Sequence, residues 1–387
     1  MKRFLKFLGL LVLAAIAVVL IFGPAYVDRR LNPVDRQGPH SISAQAQALH
    51  NRLIVGDWHA DTTLWKRDVR QRHDRGMVDL PRLQAGNVAL QMFTAVTKSP
   101  SGLNYGRNSA DTLDDITLLA TGQLWPPRTW TSLLERALYQ AQKLHEFAAT
   151  SDGQLRVITN RAELDQLLSD RAAGQQVIGG LLGIEGAHPL EGKIENLDLL
   201  VAAGHRMIGL QHFFDNELGG SLHGISDGGL TDFGRQVVAE IQSRNLILDL
   251  AHSSHQVVRD VLEMTDMPIV NSHTGIYSHC QSPRNIPDEL IKGIADTGGV
   301  IAIGFWADVT CDHSPTGVAA AIRAAVALVG EDHVSLGSDF DGSVRTGFDA
   351  SELAALTQAL LEAGLNEAQI AKVMGGNMVR VLRERLP

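Results

Sequence analysis

Five short apolar runs in this chain each end in a side chain able to bind a metal: LIVGDWHAD, VIGGLLGIEGA, RMIGLQHF, LILDLAHSS and MPIVNSHTG. Scattered as they are from Leu53 to Gly275, they make sense together only in a fold that gathers the ends of distant strands. A closed parallel barrel does so, because the carboxyl ends of all its strands meet on one face, where active sites form. In such a barrel His59, Asp61, Glu185, His212, His252 and His273 share a pocket.

The rest of the body fits that fold. Strand-like and helix-like segments alternate, with strands ending near Asp61, Val96, Ala187, Phe213, His252, His273, Ala307 and Asp339. VALQMFTAV, GVIAIGFWAD and HVSLGSDFDG are apolar in long stretches, as fully buried parallel strands are. SLLERALYQAQKLHEF repeats apolar residues at helical spacing, and Ser132 with Glu135 fits a capping box. TDFGRQVVAEIQSRN and LNEAQIAKVMGGNMVRVLRERL read as helices too, as does SISAQAQALHNRL. No GxGxxG follows the first strand, so an open dinucleotide-binding sheet is the poorer reading. The pattern predicts a (β/α)8 TIM-type barrel as one metallohydrolase domain over residues 41–387, a size such barrels reach as single units.

The formal net charge is -9 and the body has no dense Lys/Arg block, which argues against a nucleic-acid partner and for small-molecule chemistry. Cys280 and Cys311 are too few for a disulfide framework and leave the compartment and their pairing open. The amino terminus says more. From Phe7 to Val27 no residue is charged, enough for a helix to cross a bilayer core of roughly 30 Å. That length, with a poor cleavage site, favours a retained anchor (residues 1–27) over a cleaved signal. Lys2, Arg3 and Lys6 lead it, which puts that end in the cytoplasm and the body outside. Residues 28–40, broken by Pro33, Gly38 and Pro39, read as a short linker without packed structure. Between Lys98 and Pro127 lies a connection long enough to shape a pocket, a candidate specificity loop or a plain surface insertion.

At the strand ends the chemistry is that of metal-assisted hydrolysis. His59 and Asp61 are two apart, so in a strand both face one side and can grip one cation. Alone, an HxD pair is a weak signal; its accumulation with Glu185, His252 and His273 is not. Three histidines and two carboxylates suffice for two zinc ions, and a two-metal centre generates hydroxide at neutral pH. The expected division has His59 and Asp61 on one ion, His252 and His273 on the other, and Glu185 shared. Asp339 is the candidate acid/base, with Asp341 the turn residue of SDFDG. His212 reads as an oxyanion donor, a further ligand or a structural histidine. Arg284, in SPRNIPD, reads as a carboxylate-binding fork or a surface ion pair. No GxSxG elbow, HExxH helix or well-placed strand-end lysine appears.

At these residues the chain resembles the membrane dipeptidase family, also called renal dipeptidase, among the amidohydrolase-like metal-dependent barrels. The likeness runs from about Leu53 to Leu382 through HAD, VDLPRL, GIEGAH, LQHFFDN, GGLTDFGRQVV, LDLAHSS, NSHTG, PRNIPD, GSDFDG and GGNMVRV, and LQHFFDNELGGS resembles bacterial members more than animal ones. The resemblance implies two zincs on the same five ligands, with Glu185 bridging. It implies that His212 contacts the substrate carbonyl, Arg284 binds the free carboxylate of a dipeptide and Asp339 transfers a proton. The implied protein is a single-pass dipeptidase of a bacterial inner membrane with a periplasmic body. The family's tolerance of a D-residue at the carboxyl end, and β-lactam opening in some members, remain open for this chain, as does a homodimer. The chain departs from the family pattern at Ala60 and Ala187, where members often carry Asn and commonly Gly, and neither change removes a ligand. Rival readings are a related amide or lactam hydrolase and a catalytically silent metal-containing binding protein.

Overall fold

The structure, a computed structural model, describes residues 1–387. Nine parallel strands form one sheet: β1 (Val55–Ala60), β2 (Val88–Val96), β3 (Leu155–Val157), β4 (Ile178–Glu185), β5 (His205–Gly209), β6 (Ile247–Asp249), β7 (Val270–Thr274), β8 (Val300–Ile303) and β9 (Val334–Leu336). β1 pairs with both β2 and β9, and β2 pairs with β4 from Leu90↔Gly179 to Val96↔Glu185, so eight strands close on themselves. This is the expected closed parallel barrel. The ninth strand, β3, was not legible in the sequence. It borders the start of β4, through Leu155↔Ile178 to Val157↔Gly180, before β5 takes over that edge at Leu182↔His205.

The strands are apolar along their length because helices cover them. Phe93, Ile184, Ile208, Leu248 and Ile303 from the strands share one core with Leu144, Leu200, Val238, Ile291 and Ile322 from the helices, and each such side chain removed from water contributes roughly 1.5–3 kcal/mol. The helix Leu133–Ala149 forms where expected, but the capping box is only half made: Ser132 accepts from the Glu135 N–H, while the Glu135 side chain turns to Arg128. Glu191, far along the chain, caps that end through its Oε1, which accepts from the N–H groups of Leu133 and Leu134 at 2.8 and 3.2 Å. The last helical pattern is interrupted at Lys372–Gly376, between helices Glu367–Ala371 and Asn377–Arg385. There Gly375 lies so close to β1 that a Cβ would fall 2.2 Å from the Ile54 carbonyl oxygen; only glycine fits that approach.

The N-terminal helix, Lys2–Leu31, is the one helix long and apolar enough to cross a membrane. It continues past Val27, so the first residues expected in a loose linker are helical and packed. Asp28 is buried against Arg67 and Arg75, at 3.0 and 3.1 Å. The following residues are strapped to the barrel rim: Asp35 N–H donates to Thr346 O at 2.7 Å, and Arg36 pairs with Glu352 and Asp349. The reason is electrostatic, since buried Arg67 holds Asp341 on one side and needs a second carboxylate on the other.

Candidate metal centre and substrate pocket

β1 delivers His59, β4 delivers Glu185 and β7 delivers His273, while His212, His252 and Asp339 each lie three residues beyond the ends of β5, β6 and β9. All are buried on one mouth of the barrel. The Glu185 carboxylate sits at the centre: its Oε1 is 3.1 Å from His252 Nε2, 3.2 Å from His273 Nε2 and 3.6 Å from His59 Nε2. His59 Nε2 also lies 3.5 Å from Asp61 and 3.9 Å from Asp339. His212 Nε2 approaches the other Glu185 oxygen at 3.5 Å. Three overlapping groups could each hold an ion: His59, Asp61 and Glu185; Glu185, His212 and His252; His59, His273 and Asp339.

These residues fit a cation. His59 Nε2 is buried without a hydrogen-bond partner. His252 Nε2 and His273 Nε2 face each other at 2.9 Å. Burial and the Arg284 guanidinium push His252 well below the usual imidazole range; burial, His59 and Arg284 do the same to His273. Both rings are therefore neutral at pH 7. Burial opposes the charge on Glu185, but the His212 and His59 imidazoles outweigh it and hold the carboxyl well below its usual range. Burial raises Asp339 well above that range, against the pull of His59 and with the help of Asp61 and Glu185. The carboxyl groups of Asp61, Glu185 and Asp339 and the converging imidazole nitrogens, shut from water, perturb one another's protonation, a strain that a cation among them would relieve.

The groups beneath the ligands were not singled out in the sequence. Ser272 Oγ donates to Asp249 at 2.7 Å and stands 2.9 Å from His273 Nδ1 and 3.3 Å from His59 Nδ1. With its proton on Asp249, the hydroxyl can accept Nδ1–H from both rings, which leaves both Nε2 atoms directed at the centre. Asp57 accepts from Ser338 N–H at 2.8 Å and Ser338 Oγ at 2.6 Å, anchoring the turn that carries Asp339. Thr94 Oγ1 donates to Asp61 at 2.6 Å. The backbone is left-handed at His252 and Asp339, with φ of 63° and 59°, a conformation that non-glycine residues adopt rarely and that gathers at functional sites. Asp341, expected to be a turn residue, does have a φ of 64°, but it is also a buried hub that accepts from Met77 N–H and Thr62 Oγ1 and pairs with Arg67.

Above the centre opens a cavity of about 120 Å³ lined by Asp61, Glu185, His212, His252, Arg284 and Asp339, with Leu103, Tyr105, Ile116, Phe213 and Trp306 around them. Arg284 is buried, not the surface ion pair weighed above. One Nη2 donates to the His273 carbonyl at 2.7 Å and the guanidinium lies 5.7 Å from the Trp306 ring centre. Tyr105, from the long connection after β2, accepts from Trp306 Nε1 at 3.0 Å, and burial pushes its phenol up to about 12. Its hydroxyl proton is thus kept for the cavity. His212 Nδ1 lies 3.3 Å from the Lys98 carbonyl, which leaves Nε2 as the atom it turns inward.

A parallel barrel whose strand ends converge on buried imidazoles and carboxylates defines a metal-centred barrel of the hydrolase type. The chain belongs to the membrane dipeptidase family, peptidase family M19, whose pattern it matches over residues 43–386. It is 28% identical over 368 residues to the dipeptidase aclJ of Aspergillus oryzae, covering 90% of this chain and 81% of that protein. It is similar in structure to a metallopeptidase of Rhodobacter sphaeroides liganded with a phosphinate mimic of L-Ala-D-Ala (TM-score 0.69, 24% identity, 87% of this chain and 99% of that one). It is also similar to the probable dipeptidase PvdM of Pseudomonas aeruginosa (TM-score 0.72, 19% identity, 88% and 98%).

Proposed function

We propose that this protein is a membrane-tethered zinc dipeptidase. The observation that carries the reading is the convergence of His59, Asp61, Glu185, His252 and His273 beneath a cavity into which a buried guanidinium also faces. His59 and Asp61 would hold one zinc, His252 and His273 the other, and Glu185 would bridge them. Bound there, the ions supply Lewis acidity and make water a nucleophile at neutral pH.

The chain's own residues do the rest. Arg284 takes the dipeptide's free carboxylate in its planar fork. It makes no ion pair within the protein, so an arriving carboxylate relieves a buried charge. His212, its Nδ1–H held by the Lys98 carbonyl, donates from Nε2 to the carbonyl oxygen as charge develops on it when that nitrogen too carries a proton. Asp339, beside His59 and held by the Ser338 turn, accepts a proton from the attacking water and returns it to the departing amine. A D-residue at the carboxyl end is proposed because the Rhodobacter sphaeroides relative was captured with an L-Ala-D-Ala mimic.

The helix Lys2–Leu31 is read as a retained single-pass anchor with the body outside the cytoplasm. The Cys280–Cys311 disulfide supports that side, since such bonds persist in oxidising compartments.

The test uses the full chain in detergent. Stripping metal should abolish hydrolysis of L-Ala-D-Ala, and zinc should restore it with two ions bound per chain. The same dipeptide amidated at its carboxyl end, or Arg284→Lys with the free acid, should lose about 10–100-fold in kcat/KM, the worth of a charge-assisted bidentate pair. Equal rates for acid and amide would remove Arg284 from substrate binding. A zinc-loaded protein inert to every dipeptide would overturn the function.

A further inference from the structure

The long connection after β2 has a feature that the catalytic reading does not use. Leu103, Leu113, Leu118, Leu124 and Trp130 are 42, 61, 55, 58 and 39% exposed. Elsewhere in the body, large exposed apolar side chains are single, as at Leu199 and Ile225; scattered ones need no explanation, whereas five within one excursion do. The excursion also packs on the N-terminal helix. That helix is exposed as far as Val19, but Leu20, Gly23, Pro24, Ala25 and Val27 are partly covered. Val27 packs against a cluster that includes Ile116, Ala120 and Trp125 of the excursion.

Depth follows from length. About 20 residues cross a bilayer core; counted from Phe7, the first residue after Lys6, the crossing ends near Tyr26, and the covered turn around Val27 lies at the far headgroup boundary. The excursion's helix, Asp115–Gly122, is seated against that turn, so it lies at the same level. Exposed Trp130 suits that level, where indole rings concentrate.

We propose that the excursion from Lys98 to Leu133 is a second membrane contact. Its exposed leucines and Trp130 rest in the headgroup layer of the bilayer that the N-terminal helix crosses, a proposal that rests on the reading of that helix as a retained anchor. The contact is apolar, because exposed Asp111 and Asp115 are offset by exposed Arg107 and Arg128 of the same excursion and leave no net pull toward charged lipid. The same elements border the entrance to the metal centre. Leu103 and Ile116 line the cavity with Ser343, whose N–H donates to Asn32 Oδ1 just beyond the helix at 2.9 Å. The catalytic mouth therefore opens beside the bilayer surface.

The experiment reconstitutes the full chain in phosphatidylcholine vesicles and places an environment-sensitive probe on one introduced cysteine at a time, the two native cysteines being paired. The variants are Leu118→Cys and Leu124→Cys on the excursion, Leu13→Cys within the anchor and Leu199→Cys, an exposed leucine of the body outside the excursion. Nitroxide lipids labelled near the headgroup should quench the Leu118 and Leu124 probes at least about twice as strongly as the Leu199 probe, as for side chains about 5–10 Å into the interface. High salt should leave that ratio unchanged. Deep nitroxides should quench the Leu13 probe. Quenching at Leu13, with Leu118 and Leu124 no different from Leu199, would overturn the second contact and leave the anchor standing. No quenching at Leu13 would overturn the anchor and the contact with it. Disulfide-linked dimers of L118C whose probe lipid does not reach would give the surface to a second copy of the chain, which also overturns the proposal.

Discussion

Ser272 is the residue on which both halves of the centre turn. One hydroxyl, held by Asp249, faces the Nδ1 atoms of His59 and His273, two ligands assigned to different ions. Ser272→Ala frees both rings to rotate and to change tautomer, and the expected result is a 10–100-fold loss of metal affinity, about the usual cost of losing such support. A chelator titration of the zinc-loaded chain measures it directly. A variant that yields its metal at the same chelator concentration as the wild type would show that the rings are held by other means. The sequence made the ligands legible because histidine and carboxylate at the ends of buried apolar runs are chemically conspicuous. Ser272 and Asp249 were not, although each lies within three residues of a ligand. A serine or an aspartate beside a histidine has no distinctive spacing, and their partnership exists only because β6 and β7 lie side by side. Tyr105 escaped for a different reason. It reaches the cavity from an irregular excursion in which no periodicity reports direction.

At the level of elements, the tether differs most from its sequence. A polar stretch with two prolines reads as loose, yet the turn from Asp28 to Arg36 is stitched to the barrel through Arg67, Arg75, Ser343, Thr346 and Asp349. The partners are far away in the chain, so composition alone could not reveal them. Arg67 is the central stitch, pairing with Asp28 at 3.0 Å and with Asp341 at 2.7 Å. It thereby couples the end of the N-terminal helix to the turn that carries Asp339. Arg67→Ala leaves Asp341 buried without its cation and should cost about 3–5 kcal/mol. Exposed Arg72→Ala should change stability by less than about 0.5 kcal/mol. Denaturant midpoints of the two variants in detergent compare them, and a shift for R67A no larger than that for R72A would mean that Asp341 is satisfied by Thr62 and Met77 alone. β3 and the Glu191 cap were illegible for related reasons. The strand has three residues and only one buried side chain, and the cap comes from a loop more than fifty positions away, outside any local motif.

The whole molecule depends on closure, and closure is where local reading is weakest and the barrel hypothesis was strongest. The β2–β4 and β1–β9 pairings join segments no local pattern connects, yet once eight buried strands are posited, closure follows and the ligands must meet. Closure also buries polar groups at the end of the barrel away from the metal centre, and one of them contributes to how the fold responds to acid. His205 opens β5 with no solvent exposure, and burial pushes its imidazole down to about 4. In the unfolded chain the same ring titrates near 6.5. Above about pH 6.5 both states are neutral at this site and the contribution to stability is fully present. Below it the unfolded state takes up the proton first, so stability falls as pH falls and stops falling once pH passes below about 4. The full shift is worth about 3 kcal/mol, of which roughly 2 kcal/mol should be lost between pH 7 and pH 5. His205→Gln cannot take up that proton. Metal release in acid affects both proteins, so the quantity to measure is the difference between them: H205Q should lose roughly 2 kcal/mol less than the wild type over that interval in denaturant melts. Parallel losses would mean that His205 titrates in the folded barrel as it does in water, and that burial at this end of the barrel exerts no hold on its charge.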